Sequence, residues 1–145
     1  MGFQPQFTGW GFLFDFVTQA ARSLFDGVTG LRAYATVDSP LYAKYAARMD
    51  ARGRNRDNRT ADLEGFPTYG RGLLYGEALK AAGPNPTRES FVAGVEKLRG
   101  YDNGILSPIN YGPGAAHVGA SAGFPAICCN SDYTWKSQGP AKAAF

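Results

Sequence analysis

Two adjacent cysteines, Cys128 and Cys129, are the most reactive side chains in the sequence, and they lie in the apolar run FPAICCN. Adjacent cysteines do not fit the spacing of zinc sites, which use separated pairs or histidine partners. Two interpretations stay open for them. They are either successive residues of a strand with at least one of them buried, or a redox-active or ligand-facing vicinal pair.

The single histidine, His117, is the only imidazole that could serve such a thiol as a base. No flanking signature of a cysteine or serine hydrolase accompanies it, and the surrounding YGPGAAHVGA is neither a dinucleotide nor a phosphate-binding loop. The acidic residues Asp57, Asp62 and Glu64 lack the pattern of a calcium-binding loop. We therefore predict a binding protein rather than an enzyme, without metal or cofactor. A small thiol enzyme that uses the cysteine pair is an alternative.

Arginines cluster between residues 48 and 59, where five arginines and two aspartates give a net charge of +3, equal to that of the whole chain. Nucleic-acid sites interleave such a patch with aromatic side chains or place it on a recognition helix. No aromatic residue lies between Tyr45 and Phe66. We interpret the stretch as a solvated helix end and loop, with an anion or partner contact as the alternative, and expect no nucleic-acid partner.

The elements that must position these residues belong to a chain of 145 residues, of which 44% are apolar and 19 are glycine. This length and composition predict a single unit over residues 1–145 with a sizeable core. No run of 18 apolar residues is present, as a membrane span would need. The N-terminal MGFQPQFTGW lacks the basic and apolar regions of a signal peptide, so none is expected in this chain.

The first half of the sequence predicts a strand, a helix, a strand and a helix. The segments are QPQFTGWGF, LFDFVTQAARSLFDG, VTGLRAYATV and PLYAKYAARMDAR. Ser39 and Pro40 are typical of a helix start, and Leu41, Tyr45 and Met49 share one helical face.

The second half begins with a predicted polar loop, RNRDNRTADLE, and a helix, GFPTYGRGLLYGEALKAAG. Thr87 then caps a helix with an apolar face, and GILSPINYG and VGASAGFPAICC are predicted as two strands joined by a turn around Pro113. The tail SDYTWKSQGPAKAAF is predicted to be irregular. This order, β-α-β-α-α-α-β-β, indicates an α/β protein with a mixed sheet flanked by helices.

The stretch YGRGLLYGEALKAAGPNPTRESFVAGVEKLRGYDNGILSPINYGPGAAHVG resembles the C-terminal part of the leucine/isoleucine/valine-binding type of periplasmic substrate-binding protein of ABC transporters. That family has a Tyr-led helix ending in AL-x-x-AG, a helix begun by Thr-Arg-Glu, and a Gly-Ile/Leu strand before a glycine-containing turn. Upstream, GFQPQFTGWG and DGVTGLRAYATVDSPLYAKYAARM match in the same order. The resemblance covers nearly the whole chain.

The resemblance implies the C-terminal part of a type I periplasmic-binding fold, a two-lobed α/β clamshell that closes on its ligand by hinge motion. Family members are well over twice as long, and the match is to their later part. We therefore expect a fragment, a repurposed domain, or a chain completed by a first lobe from another polypeptide. Exposed sheet edges and apolar faces are where such a partner or an oligomer would pair.

The resemblance also implies the ligand contacts. TGWG corresponds to a position that faces the cleft, so Gly9, Trp10 and Gly11 are predicted to contact ligand, with the indole as an apolar wall or cation–π face. Packing between domains is the alternative for Trp10. Tyr69 leads a helix near the hinge and either contacts ligand or packs.

The predicted function is that of a solute-binding component for an amino acid, an amide or a similar small polar compound. Its partners would be that ligand and an ABC permease, and its location periplasmic or otherwise extracytoplasmic. The alternative is a truncated, binding-protein-like accessory or structural subunit of a larger protein complex, with no ligand of its own.

Overall fold

A computed structural model of the chain describes residues 8–10, 15–21, 24–53, 59–112, 122–129 and 133–143. Strands and helices alternate in the first half of these ranges, and short strands follow the helices in the second half, which confirms the predicted α/β class. The elements are β1 (Thr8–Trp10), α1 (Asp15–Ala21), β2 (Thr29–Arg32), α2 (Pro40–Asp50), α3 (Arg59–Ala82), α4 (Arg88–Glu96), β3 (Ala122–Cys128), β4 (Trp135–Ser137) and β5 (Lys142–Ala143).

The strands form one open sheet that is antiparallel except at one end. β1 runs parallel to β2, with Trp10 opposite Leu31, and β2 runs antiparallel to β3, with Arg32 opposite Phe124. β4 and β5 both pair antiparallel with β3, β4 near its C-terminal end and β5 at its start. The sheet is therefore mixed, as the element order predicts, and β3 is its central strand.

Helices α2 and α4 begin at the residues that the sequence predicts. The Ser39 side chain accepts a hydrogen bond from the Leu41 N–H, and Pro40 occupies the first helical position. At α4, the Thr87 hydroxyl accepts from the Ser90 N–H at 3.1 Å, and the Ser90 hydroxyl accepts from the Thr87 N–H at 2.8 Å. This reciprocal capping box satisfies two main-chain donors that the helix itself leaves unpaired.

Helix α3 begins at Arg59, so the prediction of a polar loop through residue 64 is wrong over its last six residues. Pro67 suggests a helix start because proline is favoured in the first turn, but it lies inside α3. Leu63 and Phe66, three residues apart, are each 1% exposed. Burial of these two side chains on one face stabilises the extra turns despite the polar sequence around them.

The predicted strand over residues 104–112, all of which the structure describes, does not form. Ile105, Ser107 and Ile109 are buried in alternation, as in a strand. The segment nevertheless makes only isolated bridges, at Leu106 and Ile109. One reason is Pro108, which has no N–H to offer a ladder. The proposed turn around Pro113 lies outside the described residues.

The tail is not irregular, because it supplies β4 and β5 to the sheet. Trp135 is fully buried and packs against Val28, Ala126 and Cys128, with the ring of Phe25 at 6.5 Å between centroids. A three-residue strand is too short to show a period of two in the sequence. Its large aromatic side chain is what holds it in the sheet.

A second core cluster lies where α2 and α3 pack together. Its buried residues are Ala35, Tyr45, Phe66 and Ile105. Partly buried side chains pack around them, including the predicted α2 face residues Leu41 and Met49. Tyr45 and Phe66 have ring centroids 5.6 Å apart. None of the helices described above is both long enough and apolar enough to cross a membrane.

Candidate functional site

A pocket of about 240 Å³ lies between the turn that precedes α2 and the last strands of the sheet. This volume is enough for a small solute. Hydroxyl groups, one carboxylate, one aromatic ring and two prolines line it. The described lining residues are Ala35, Thr36, Asp38, Ser39, Pro40, Gly104, Phe124, Ser137, Gly139 and Pro140.

The turn from β2 to α2 supplies the polar side of the pocket. Thr36 is 2% exposed, and its hydroxyl donates a short hydrogen bond to Oδ1 of Asp38. The Ser39 N–H donates to the Thr36 carbonyl at 3.0 Å and closes the turn. Because Ser39 is also the helix cap, α2 begins at the edge of the pocket. The polar groups of this turn are therefore held in place by the helix cap Ser39 at one end and the buried Thr36 at the other.

The opposite side comes from the C-terminal strands, and a single side chain joins the two. Oδ2 of Asp38 accepts a hydrogen bond from the Ser137 N–H at 3.1 Å, across 99 residues of sequence. The Gly139 N–H donates to the Ser137 hydroxyl at 3.2 Å, which shapes the turn after β4. Asp38 therefore ties the start of α2 to the end of β4.

The remaining wall is apolar. Phe124 comes from β3 and packs at the edge of the second core cluster. Gly104 lies beside Leu41, and a methyl group at Gly104 would stand 2.6 Å from its Cδ1. Gly104 also has a φ of +70°, a conformation that favours glycine. The loop can therefore approach α2 closely enough to close this side.

Tyr69, one of the predicted ligand contacts, lies in the middle of α3 and faces α2. Its ring centroid is 5.6 Å from that of Tyr45. Its hydroxyl accepts a hydrogen bond from Nη1 of Arg48, whose Cζ is 6.0 Å from the ring centroid. These contacts account for Tyr69 as a packing residue between two helices, and its contact with a ligand stays a prediction.

The other predicted contacts belong to β1 and the residue after it. Gly9 lies opposite Gly30 in the parallel pair, and Trp10 lies opposite Leu31. Gly11 lies outside the described residues, and the backbone alone of Trp10 is described. The ligand contacts predicted for Gly9, Trp10 and Gly11 stay predictions.

The cysteine pair lies at the end of β3. Cys128 is 3% exposed and belongs to the first core cluster, as one of its two interpretations predicts. Its sulfur is joined to that of Cys129 in a vicinal disulfide, and the peptide bond between them is cis. His117 lies outside the described residues. Within the described ranges, no cluster of three or more metal-ligating side chains occurs.

Sequence reasoning missed the polar residues of the pocket. The run TVDSP at residues 36–40 carried a usable signal, because polar residues between a strand and a helix cap are where α/β proteins place ligand sites. Ser137 carried no such signal, since its segment has no recognisable periodicity. The pairing of Asp38 with Ser137 follows from the sheet topology alone.

In comparisons with known proteins, the sequence matches no protein-family model, no curated protein and no solved structure.

Proposed function

We propose that this chain is the C-terminal portion of the solute-binding component of an ABC transporter for an amino acid, an amide or a similar small polar compound. The proposal rests on the sequence resemblance and on one structural observation, the pocket of about 240 Å³ at the start of α2. In this role the chain works outside the cytoplasm and delivers its ligand to a permease, without catalysis.

The character of the pocket supports a binding role. Ligand sites are concave, largely apolar and equipped with a few polar groups that fix orientation. Here Phe124, Pro40 and Pro140 provide the apolar surface, and Asp38 provides a carboxylate held by two hydrogen bonds. Such preorganisation reduces the entropy lost when a ligand binds.

The function is tested by thermal unfolding of the purified chain against a panel of amino acids, amides and small amines. A ligand that binds only the folded state raises Tm, and at one hundred times Kd it stabilises by about 2.7 kcal/mol. We expect at least one member of the panel to raise Tm in a concentration-dependent way. A monodisperse folded chain whose Tm does not respond to any member would contradict the proposal.

A pair of variants tests whether the rise in Tm comes from binding in the pocket. Gly104→Leu introduces a side chain beside Leu41 at the pocket wall, and it should reduce the ligand-induced rise in Tm. Gly53→Ala, at a helix end with nothing within 4 Å of its added methyl group, should leave that rise unchanged. Both positions have positive φ, so both variants carry a comparable backbone penalty.

The second function, an accessory subunit without its own ligand, is favoured by a different observation. Tyr75 and Leu79, four residues apart on α3, are 56% and 46% exposed, and Val92 on α4 is 49% exposed. Exposed apolar side chains on one helix face are a feature of protein–protein contacts. Light scattering coupled to size exclusion distinguishes the two: a stable oligomer that Tyr75→Arg dissociates, with no ligand effect on Tm, would favour the accessory role.

A further inference from the structure

Most main-chain N–H groups around the pocket are absent or already used within the protein. Pro40 and Pro140 have none to offer. Five of the others donate internally: Ala35 to the Ile105 carbonyl at 2.7 Å, Ser39 to the Thr36 carbonyl at 3.0 Å, Gly104 to the Asp102 carboxylate at 2.7 Å, Ser137 to the Asp38 carboxylate at 3.1 Å, and Gly139 to the Ser137 hydroxyl at 3.2 Å.

The start of α2 is equally poor in donors, although helix starts often bind anions through their free N–H groups. Pro40 lacks the group altogether, and the Leu41 N–H donates to the Ser39 hydroxyl at 3.2 Å. The Tyr42 N–H donates to the Ser39 carbonyl at 2.9 Å. A carboxylate placed here would therefore meet few donors to replace its lost water.

Hydrogen-bond acceptor sites, in contrast, remain on the Asp38 carboxylate. An ionised carboxylate has about four lone-pair sites, and Asp38 uses two of them, for the Thr36 hydroxyl and the Ser137 N–H. The described lining residues include no lysine or arginine to neutralise this charge. The pocket therefore complements a ligand that brings positive charge and N–H donors.

We infer that the pocket binds the protonated amine, or another cationic N–H group, of a small solute through Asp38 and rejects solutes whose head group is a carboxylate. This inference rests on the proposed function, because it assigns the ligand chemistry of the same pocket. The Phe124 ring and the two prolines contact the apolar body of the ligand, and a cation near an aromatic face gains further attraction.

The test uses three probes of nearly equal size on the full chain: butylammonium, butyramide and butyrate. Nuclear magnetic resonance maps the amide signals that each probe moves, and titration gives its affinity. Butylammonium should move the signals of Ser39, Ser137 and Gly139. It should bind about tenfold or more tightly than butyrate, because its ammonium group donates charge-assisted hydrogen bonds to the Asp38 carboxylate, which repels the carboxylate of butyrate.

A matched pair of variants tests the contribution of the Asp38 carboxylate to this preference. Asp38→Asn keeps the size of the side chain but removes its charge, so the preference for butylammonium over butyramide should disappear. Asp26→Asn changes an exposed aspartate in the turn before β2 and should leave the preference intact. The comparison among probes on the unmodified chain stands by itself if Asp38→Asn does not fold.

Each remaining outcome decides the matter. If butyramide or butyrate moves the pocket signals with equal or higher affinity, the cationic preference is wrong, while the proposed function survives. If neither these probes nor the wider solute panel moves them, both proposals fail. Binding of butylammonium only at a distant surface overturns the assignment to Asp38.

Discussion

Gly94 lies where the main chains of two helices are in contact. A methyl group built on it would lie 2.5 Å from the carbonyl oxygen of Ala78, which is main chain and therefore cannot rotate away. The α4 backbone thus packs directly against the α3 backbone. No other residue type fits at this position without separating the helices.

We predict that Gly94→Ala lowers the free energy of unfolding by about 1–3 kcal/mol, because overpacking forces the two helices apart. Gly76→Ala is the matched control, since nothing lies within 4 Å of its added methyl group on α3. It should raise stability by about 0.5–1 kcal/mol through helix propensity. Urea denaturation measures both. Equal effects of the two substitutions would show that the helices do not touch at Gly94.

For single residues, the sequence predicts well the roles that depend on near neighbours in the chain, and poorly those that depend on residues far away in the chain. Ser39 and Thr87 are recognisable as caps because a cap bonds to a main-chain group two or three residues away. Gly94 and Asp38 are not recognisable, because their partners lie 16 and 99 residues away along the chain. The fold alone brings such pairs together.

At the scale of elements, the capping box of α4 is a cooperative unit. Thr87 and Ser90 each bond to the main chain of the other, at 3.1 and 2.8 Å. A hydrogen bond from the main chain of Glu89 itself, together with one from the Thr87 side chain, lowers the pKa of the Glu89 carboxyl. Loss of one partner should therefore disturb the other.

We predict that Thr87→Ala costs about 0.5–2 kcal/mol, the usual cost of removing a cap. Adding Ser90→Ala should then cost less than it does in the unmodified chain, because the first turn frays without the Thr87 cap and the remaining bond from the Thr87 N–H to the Ser90 hydroxyl is weakened. A double-mutant cycle measured by thermal unfolding checks this. Strict additivity of the two substitutions would mean that the two bonds form independently.

Elements were predictable where periodicity and end signals agree. Hydrophobic periodicity and end signals are both present in three elements: the helix after Ser39, the helix after Thr87 and the central strand β3. Residues 104–112 have the alternation of a strand, but their main chain turns at Asn103, whose Oδ1 accepts from the N–H groups of Ile105 and Leu106. This side chain competes with strand pairing for the same donors.

At the scale of the whole molecule, Trp135 connects the tail to the core. It is fully buried against Val28 and the end of β3, although its segment has little other apolar character. Arg32, 1% exposed, has its Cζ 5.8 Å from the centroid of this ring. The tail is therefore a structural part of the sheet.

We predict that Trp135→Ala lowers the free energy of unfolding by about 3–5 kcal/mol, as expected for the loss of a buried aromatic side chain. Lys136→Ala, at the next and exposed position of β4, should change it by less than about 0.5 kcal/mol. Circular dichroism during urea denaturation measures both. A Trp135→Ala variant as stable as the unmodified chain would show that the tail is not needed by the sheet.

The sheet register has a consequence for how the protein is made. Thr29 pairs with Ile127, so β2 leaves the ribosome long before its antiparallel partner β3 is synthesised. At about 5–20 residues per second the delay is roughly 5–20 s, much longer than a helix needs to form. During translation β2 remains without β3, its antiparallel partner, and contacts of such long range also slow folding. Nascent chains of this protein are therefore expected to depend on chaperones until β3 has emerged.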